Sequence, residues 1–162
     1  MLAAGPGESV ERVRPLLETI GRKLLVVGAD PFLANTLKLA GNFLIASMLE
    51  AVSEALALAR KSGIEPGQFL EMLGFFQSPV YENYGRLIAE ERFQPAGFTM
   101  TLGLKDVRLV LAASEAVKAP MPLASLVHDH LLSGLARGLG EEDWSAITRV
   151  VATDAGLPPL RP

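Results

Sequence analysis

Apolar positions change their period along the chain. Met1–Ala4 is a short apolar run closed by Gly5-Pro6-Gly7. From Glu8 to Ile20 the apolar residues Val10, Val13, Leu16, Leu17 and Ile20 fall at helical spacing, which predicts an amphipathic helix. Pro15 lies inside it and predicts a kink or a late start. Gly21 ends the segment, and Leu24-Leu25-Val26-Val27 then predicts a short buried strand. The first 28 residues therefore order as strand, helix, strand.

Beyond Asp30 every remaining segment has the helical period. Asp30-Pro31 marks a helix start, because the aspartate accepts from free backbone N–H groups and proline fits the first turn. The pattern then continues to Ser62, and Gly63 stops it. At 1.5 Å per residue such a helix is roughly 45–50 Å long, which suits a spine between domains or a subunit contact. Gly41, inside it, costs about 1 kcal/mol against alanine and predicts close approach of another backbone. Further helices are predicted over Pro66–Phe76 and Val80–Glu90. Another runs from a Thr99 cap to about Lys118, and one from Pro122 to about Arg137. The last runs from an Asp143 cap over Trp144–Thr153. The proline-rich tail Leu157–Pro162 cannot be helical and predicts a surface strap.

The composition narrows the chemistry. Of 162 residues, 49% are hydrophobic and 20% charged, which is enough apolar material for a core. The formal charge of -3 shows no basic surface of the strength that nucleic acid needs. No cysteine and only two histidines are present, so thiolate metal sites, cysteine nucleophiles and histidine-rich zinc sites are set aside and no metal is expected. The most apolar stretch, Leu37–Leu49, contains Lys38 and Asn42 and is shorter than a membrane span. No charged leader followed by an apolar core opens the chain, so a cytoplasmic protein is expected.

Lys38 and Asn42 are the most informative pair. Four residues apart, they share one helix face, with Asn35 one turn earlier. The surrounding Leu37, Leu39, Ala40, Phe43, Leu44, Ile45 and Met48 predict burial on most sides. A buried lysine must be paired, lose its proton or face a polar cavity, and the last case supplies a general acid. A snorkelling lysine beside a structural amide is the plainer alternative. Glu50 and Glu54 repeat the spacing and predict a solvated face or a partner for cationic side chains elsewhere, with no chemistry assigned to them. Lys105-Asp106 is, by itself, an ordinary charged pair near a helix start. In His128-Asp129-His130, residues two apart point away from each other on a helix, so a solvated face is expected rather than a metal trio. Gly5-Pro6-Gly7-Glu8-Ser9-Val10 has the outline of a nucleotide loop, but valine occupies the third glycine position.

Taken together, Gly28, Ala34-Asn35 and Lys38-Leu39-Ala40-Gly41-Asn42-Phe43 resemble the lysine-helix motif of the β-hydroxyacid dehydrogenases. This is the family of 3-hydroxyisobutyrate dehydrogenase and, more distantly, 6-phosphogluconate dehydrogenase. The resemblance continues through Glu54-Ala55, Phe98, Leu104-Lys105-Asp106, Pro120-Met121-Pro122 and Gly140–Ala146.

It implies a mainly α chain. Residues 29–162 would be an all-helical 6-phosphogluconate-dehydrogenase-like C-terminal domain with a long first helix, serving substrate binding and dimerisation. Residues 1–28 would be a β-α-β remnant of an NAD(P)-binding Rossmann domain, and the chain alone would be inactive. The resemblance also implies NAD or NADP as cofactor, a small hydroxyacid or semialdehyde substrate, and a homodimer through the helical domain. Lys38 would be the general acid/base and Asn42 a substrate ligand, while Phe98, Lys105 and Asp106 would lie at the nicotinamide end of the cofactor. Imine reductases of this architecture typically replace the lysine, so Lys38 implies a carbonyl or hydroxyacid substrate. The Ala29–Leu37 segment lacks the second and third glycines of the usual hydroxyisobutyrate-type loop. A non-catalytic helical dimerisation module is the alternative.

Overall fold

A computed structural model describes residues 1–158. The tail predicted as a strap falls mostly on residues 159–162, outside that range. Within it, Arg60 donates to the Pro158 carbonyl at 2.7 Å. The chain forms two compact units, residues 1–42 and residues 43 onward.

The first unit holds β1 (Leu2–Ala4), α1 (Gly7–Ile20), β2 (Leu25–Gly28) and the start of α2 (Phe32–Lys61). β1 and β2 pair in parallel, with Leu2 opposite Leu25 and Ala3 opposite Val26. The register shifts after Ala3, so that Ala4 pairs with Gly28, and Gly5 N–H donates to the Gly28 carbonyl at 2.9 Å. α1 runs through Pro15 without a break or a late start. Pro15 lies in the interior of the helix, beyond its first turns, so its missing N–H removes the ladder bond to the Glu11 carbonyl while the helix continues to Ile20. β2 was expected to be buried, yet Leu25 and Val26 are exposed. A parallel pair of strands needs cover on its faces, and the described residues do not supply it.

Asp30 starts α2 as predicted: its Oδ1 accepts from Phe32 N–H at 3.0 Å. Gly28 sits just before, at φ +158°, and a Cβ there would meet Leu33 Cδ1 at 2.7 Å. Gly63, at φ +82°, turns the chain after α2. By length and composition α2 could cross a membrane, but half of its most apolar window is buried in the protein.

The second unit packs the rest of α2 with α3 (Pro66–Leu73), α4 (Pro79–Ala89), α5 (Met100–Ala116), α6 (Pro122–Ala136) and α7 (Ile147–Asp154). The predicted helix over Pro66–Phe76 ends in a tighter 3-10 turn at Gly74–Phe76, and Trp144–Ala146 forms a second such turn before α7. The core gathers Leu49, Val52 and Leu56 of α2 with Ile88, Met100, Leu104, Val127, Leu131, Trp144 and Ile147. Two glycines let helices close on large side chains: a Cβ on Gly85 would collide with Leu73, and one on Gly134 with Met100. Gly41 does the opposite of what its position predicted, since a Cβ there would meet open space.

Candidate functional site

Each candidate residue is set by a short stretch of local structure. Lys38 and Asn42 lie one turn apart on α2, and the helix period alone puts them on one face. Lys38 is exposed and Asn42 half-buried. The burial predicted for this lysine is therefore absent from the described residues. The apolar side chains that suggested it, Leu37 and Leu44 among them, are exposed as well.

Phe98 lies just before α5, and Lys105 and Asp106 lie in its second turn. Thr99 caps that helix, its Oγ1 accepting from Leu102 N–H at 3.3 Å. Lys105 stands in the second turn, with Nζ 2.7 Å from Asp106 Oδ1. The pair is strongly asymmetric: the lysine side chain is 57% exposed and the aspartate 2%. The buried carboxylate lies beside an ammonium that stays open to an incoming group. Phe98 precedes the cap and is half-buried. Its ring meets the edge of Trp144, centroids 4.8 Å apart. Trp144 in turn donates from Nε1 to Tyr84 Oη at 3.1 Å. Burial raises the Tyr84 phenol above its usual value, partly offset by that hydrogen bond and reinforced by Asp143.

Two features carry more than the sequence suggested. Asp143 caps its turn as predicted, Oδ1 accepting from Ser145 N–H at 3.0 Å. Its other oxygen takes donors from Gly97 and Phe98, 45 or more residues away, and no local pattern encodes that. Glu50 is not on a solvated face. It is buried, and His130 Nδ1 lies 2.6 Å from its Oε1. Burial pushes the Glu50 carboxyl above the ordinary carboxylate value; His130 pulls it down by charge and hydrogen bond without cancelling that, and Glu54 raises it further. The signal was available: Glu50 shares a helix face with the small residues Ala46, Ser53 and Ala57. His130 correspondingly leaves the solvated face predicted for it, while His128 Nδ1 pairs with Asp129 Oδ1 at 2.9 Å. Among the described residues no group of three or more His, Cys, Asp or Glu could hold a metal ion.

The fingerprint-like loop fits a dinucleotide pyrophosphate poorly. Pro6 occupies the N-cap of α1 and Glu8 its first turn, which removes a donor and adds a negative charge where an anion would sit.

Comparison with known proteins then decides the family. The family described as "NAD-binding of NADP-dependent 3-hydroxyisobutyrate dehydrogenase" matches residues 33–151. The chain belongs to the 3-hydroxyisobutyrate dehydrogenase family. Within the broader β-hydroxyacid dehydrogenase group, it is 45% identical over 152 residues to "Uncharacterized oxidoreductase YfjR" of Bacillus subtilis, covering 93% of this chain and 53% of that protein. It is 32% identical over 153 residues to "2-hydroxy-3-oxopropionate reductase" of Escherichia coli, covering 93% and 52%. The fold matches the crystal structure of 3-hydroxyisobutyrate dehydrogenase (ygbJ) from Salmonella typhimurium with a TM-score of 0.83 at 24% identity, covering 91% of this chain and 52% of that one. The chain thus spans about half the length of the relatives it matches.

Proposed function

We propose that this chain is the lysine-bearing helical half of an NAD(P)-dependent oxidoreductase acting on a small hydroxyacid or its semialdehyde or keto form. The observation that carries the reading is the family match over residues 33–151, which contains Lys38, Asn42, Phe98, Lys105 and Asp106 in one continuous alignment. Residues 1–28 are the last strand-helix-strand of a dinucleotide-binding domain, and residues 29–162 are an all-α substrate and dimerisation domain. The two-stranded parallel sheet with exposed Leu25 and Val26 supports this, because such a pair is not self-sufficient.

Bound NAD(P)H supplies the hydride. Lys38 gives an Nζ proton to the substrate oxygen during reduction and recovers one from the hydroxyl during oxidation. Asn42, one turn along the same face, holds the substrate by its amide. The exposed Lys105, paired with Asp106, would hold the nicotinamide end of the cofactor, and Phe98 would offer it an apolar wall. Those two side chains suit a flat, partly polar ring. One lysine and one phenylalanine make no cradle of backbone donors for a pyrophosphate, so the nucleotide end is held elsewhere, and this chain alone is inactive. The protein works as a homodimer through the helical unit, in the cytoplasm.

The test is Lys38→Ala in the intact protein. Turnover should fall by about 10²–10⁴-fold, the usual worth of a positioned acid or base, with cofactor affinity nearly unchanged. Retained turnover refutes the acid/base role. Carbonyl reduction by the isolated 162-residue chain refutes the division of labour.

A further inference from the structure

The hydrogen bonds and the ring contact of Phe98 come from two consecutive residues of a different segment. Phe98 N–H donates to Asp143 Oδ2 at 3.2 Å, beside Gly97 N–H at 3.0 Å. The Phe98 carbonyl accepts from Trp144 N–H at 2.9 Å. Its ring packs on the Trp144 ring. On the far side, Asp143 Oδ1 accepts from Ser145 N–H at 3.0 Å and from Ser145 Oγ–H at 2.6 Å. Asp143 is 4% exposed, and each of its two oxygens accepts two of these four hydrogen bonds. The clamp extends into α5: Met100 N–H donates to the Glu142 carbonyl at 2.8 Å and Thr101 N–H to the Gly140 carbonyl at 3.1 Å. Gly103 lets Trp144 lie against the helix, since a Cβ there would come within 3.0 Å of Trp144 Cε3.

We infer that Asp143 is a positioning residue for the cofactor-facing wall: it fixes Phe98 and the first turn of α5, and through that turn the Lys105 ammonium. The inference rests on the functional reading given above. Its chemistry is specific to a carboxylate. Each oxygen faces two donors, so both must accept. An amide presents one accepting oxygen and one donating nitrogen, and that nitrogen would face N–H groups on one side. A residue serving only to hold the fold would lower stability when changed and leave cofactor recognition intact below the melting transition. Asp143 instead predicts a change in recognition that passes through Phe98.

The experiment is a kinetic cycle in the intact protein with NADPH and NADH as probes. Asp143→Asn should raise the cofactor KM at least 5-fold with kcat changed less than 3-fold. Phe98→Ala should do the same, and the double variant should be no worse than Phe98→Ala alone, because both act through one contact. The emission of Trp144, the single tryptophan, should shift in Asp143→Asn while far-UV circular dichroism stays unchanged. If Asp143→Asn does not fold, Ser145→Ala carries the test: it removes the shortest of the four bonds and should raise the cofactor KM about 2-fold in a folded protein. An unchanged cofactor KM in Asp143→Asn, or in Ser145→Ala where that variant replaces it, overturns the inference, as does full additivity with Phe98→Ala. A wild-type intact protein that binds neither dinucleotide overturns the functional reading and this role with it, which separates the two failures.

Discussion

Replacing His130 by leucine should destabilise the helical unit more than replacing His130 and Glu50 together. His130 Nδ1 stands 2.6 Å from Glu50 Oε1, and the Glu50 side chain is 3% exposed against 27% for the histidine. Removing one partner of a buried pair costs about 3–5 kcal/mol, because a buried charge loses its compensation. Water can reach the vacated side through the partly exposed histidine position, which brings His130→Leu below that range, to about 2–3 kcal/mol. For a chain of this size each kcal/mol moves Tm by about 2–4 °C, so a fall of about 4–12 °C is expected. The Glu50→Leu/His130→Leu variant removes both polar groups and should recover most of that loss. The dependence on pH has a definite sign. Burial raises the Glu50 carboxyl in the folded protein above its ordinary value of 4.5. The folded state therefore binds more protons than the unfolded state between those two values, and stability falls as pH rises through that interval. Relative to Glu50→Gln, the wild type should lose stability from about pH 4.5 upward until the raised folded value is passed. His130→Leu deletes the group that pulls the carboxyl down, so its loss should extend to higher pH. Thermal melts followed by far-UV circular dichroism between pH 4 and 8 measure all of these. Equal destabilisation in the single and double leucine variants, or parallel pH profiles for wild type and Glu50→Gln, would refute the reasoning.

Further outcomes are expected elsewhere. Gly28→Val should unsettle the first unit by about 1–3 kcal/mol, because a Cβ would meet Leu33; protease nicking within residues 1–42 under native conditions would report it, and unchanged resistance would count against it. Asp30→Ala removes the bond to Phe32 N–H and should cost about 1 kcal/mol, seen as faster amide exchange in the first turn of α2 only. Tyr84→Phe deletes the acceptor of the Trp144 indole and should cost about 1–2 kcal/mol, with a change in tryptophan emission. Arg14→Ala breaks exposed contacts to Glu11 and Glu18 and should leave Tm within about 1 °C, as surface pairs contribute little.

Much of the helical unit was legible from the chain because its signals are local. Asp30, Thr99 and Pro122 each start a helix within a residue or two of the expected place, since caps and first-turn prolines act on neighbours in sequence. Gly41 and Gly103 show the limit. Both are helical glycines, and only the neighbour decides that one faces open space and the other the Trp144 ring. Asp143 shows it again: half of its carboxylate serves a local turn and is readable, while the other half holds residues 97 and 98, a pairing fixed by tertiary packing alone.

The sequence names candidate residues but does not encode their environment. An apolar helix around Lys38 predicted burial, and the described residues leave that part of α2 open, with Phe32, Leu33, Leu37 and Leu44 exposed. The second half of the same helix, from Ala46 to Ala59, is buried as its composition requires. One hydrophobic pattern thus meets two fates along a single helix. A pattern records that a surface is to be covered and not by which segment, since burial is non-directional and scales with area. Large apolar side chains are exposed on α2, at Leu16 and Ile20 of α1 and at Leu25 and Val26 of β2, and soluble proteins seldom leave such area bare where it is contiguous. On the proposed function that cover is the rest of a dinucleotide-binding domain, and the lysine acquires the dry, shaped surroundings that a general acid needs only when it is in place.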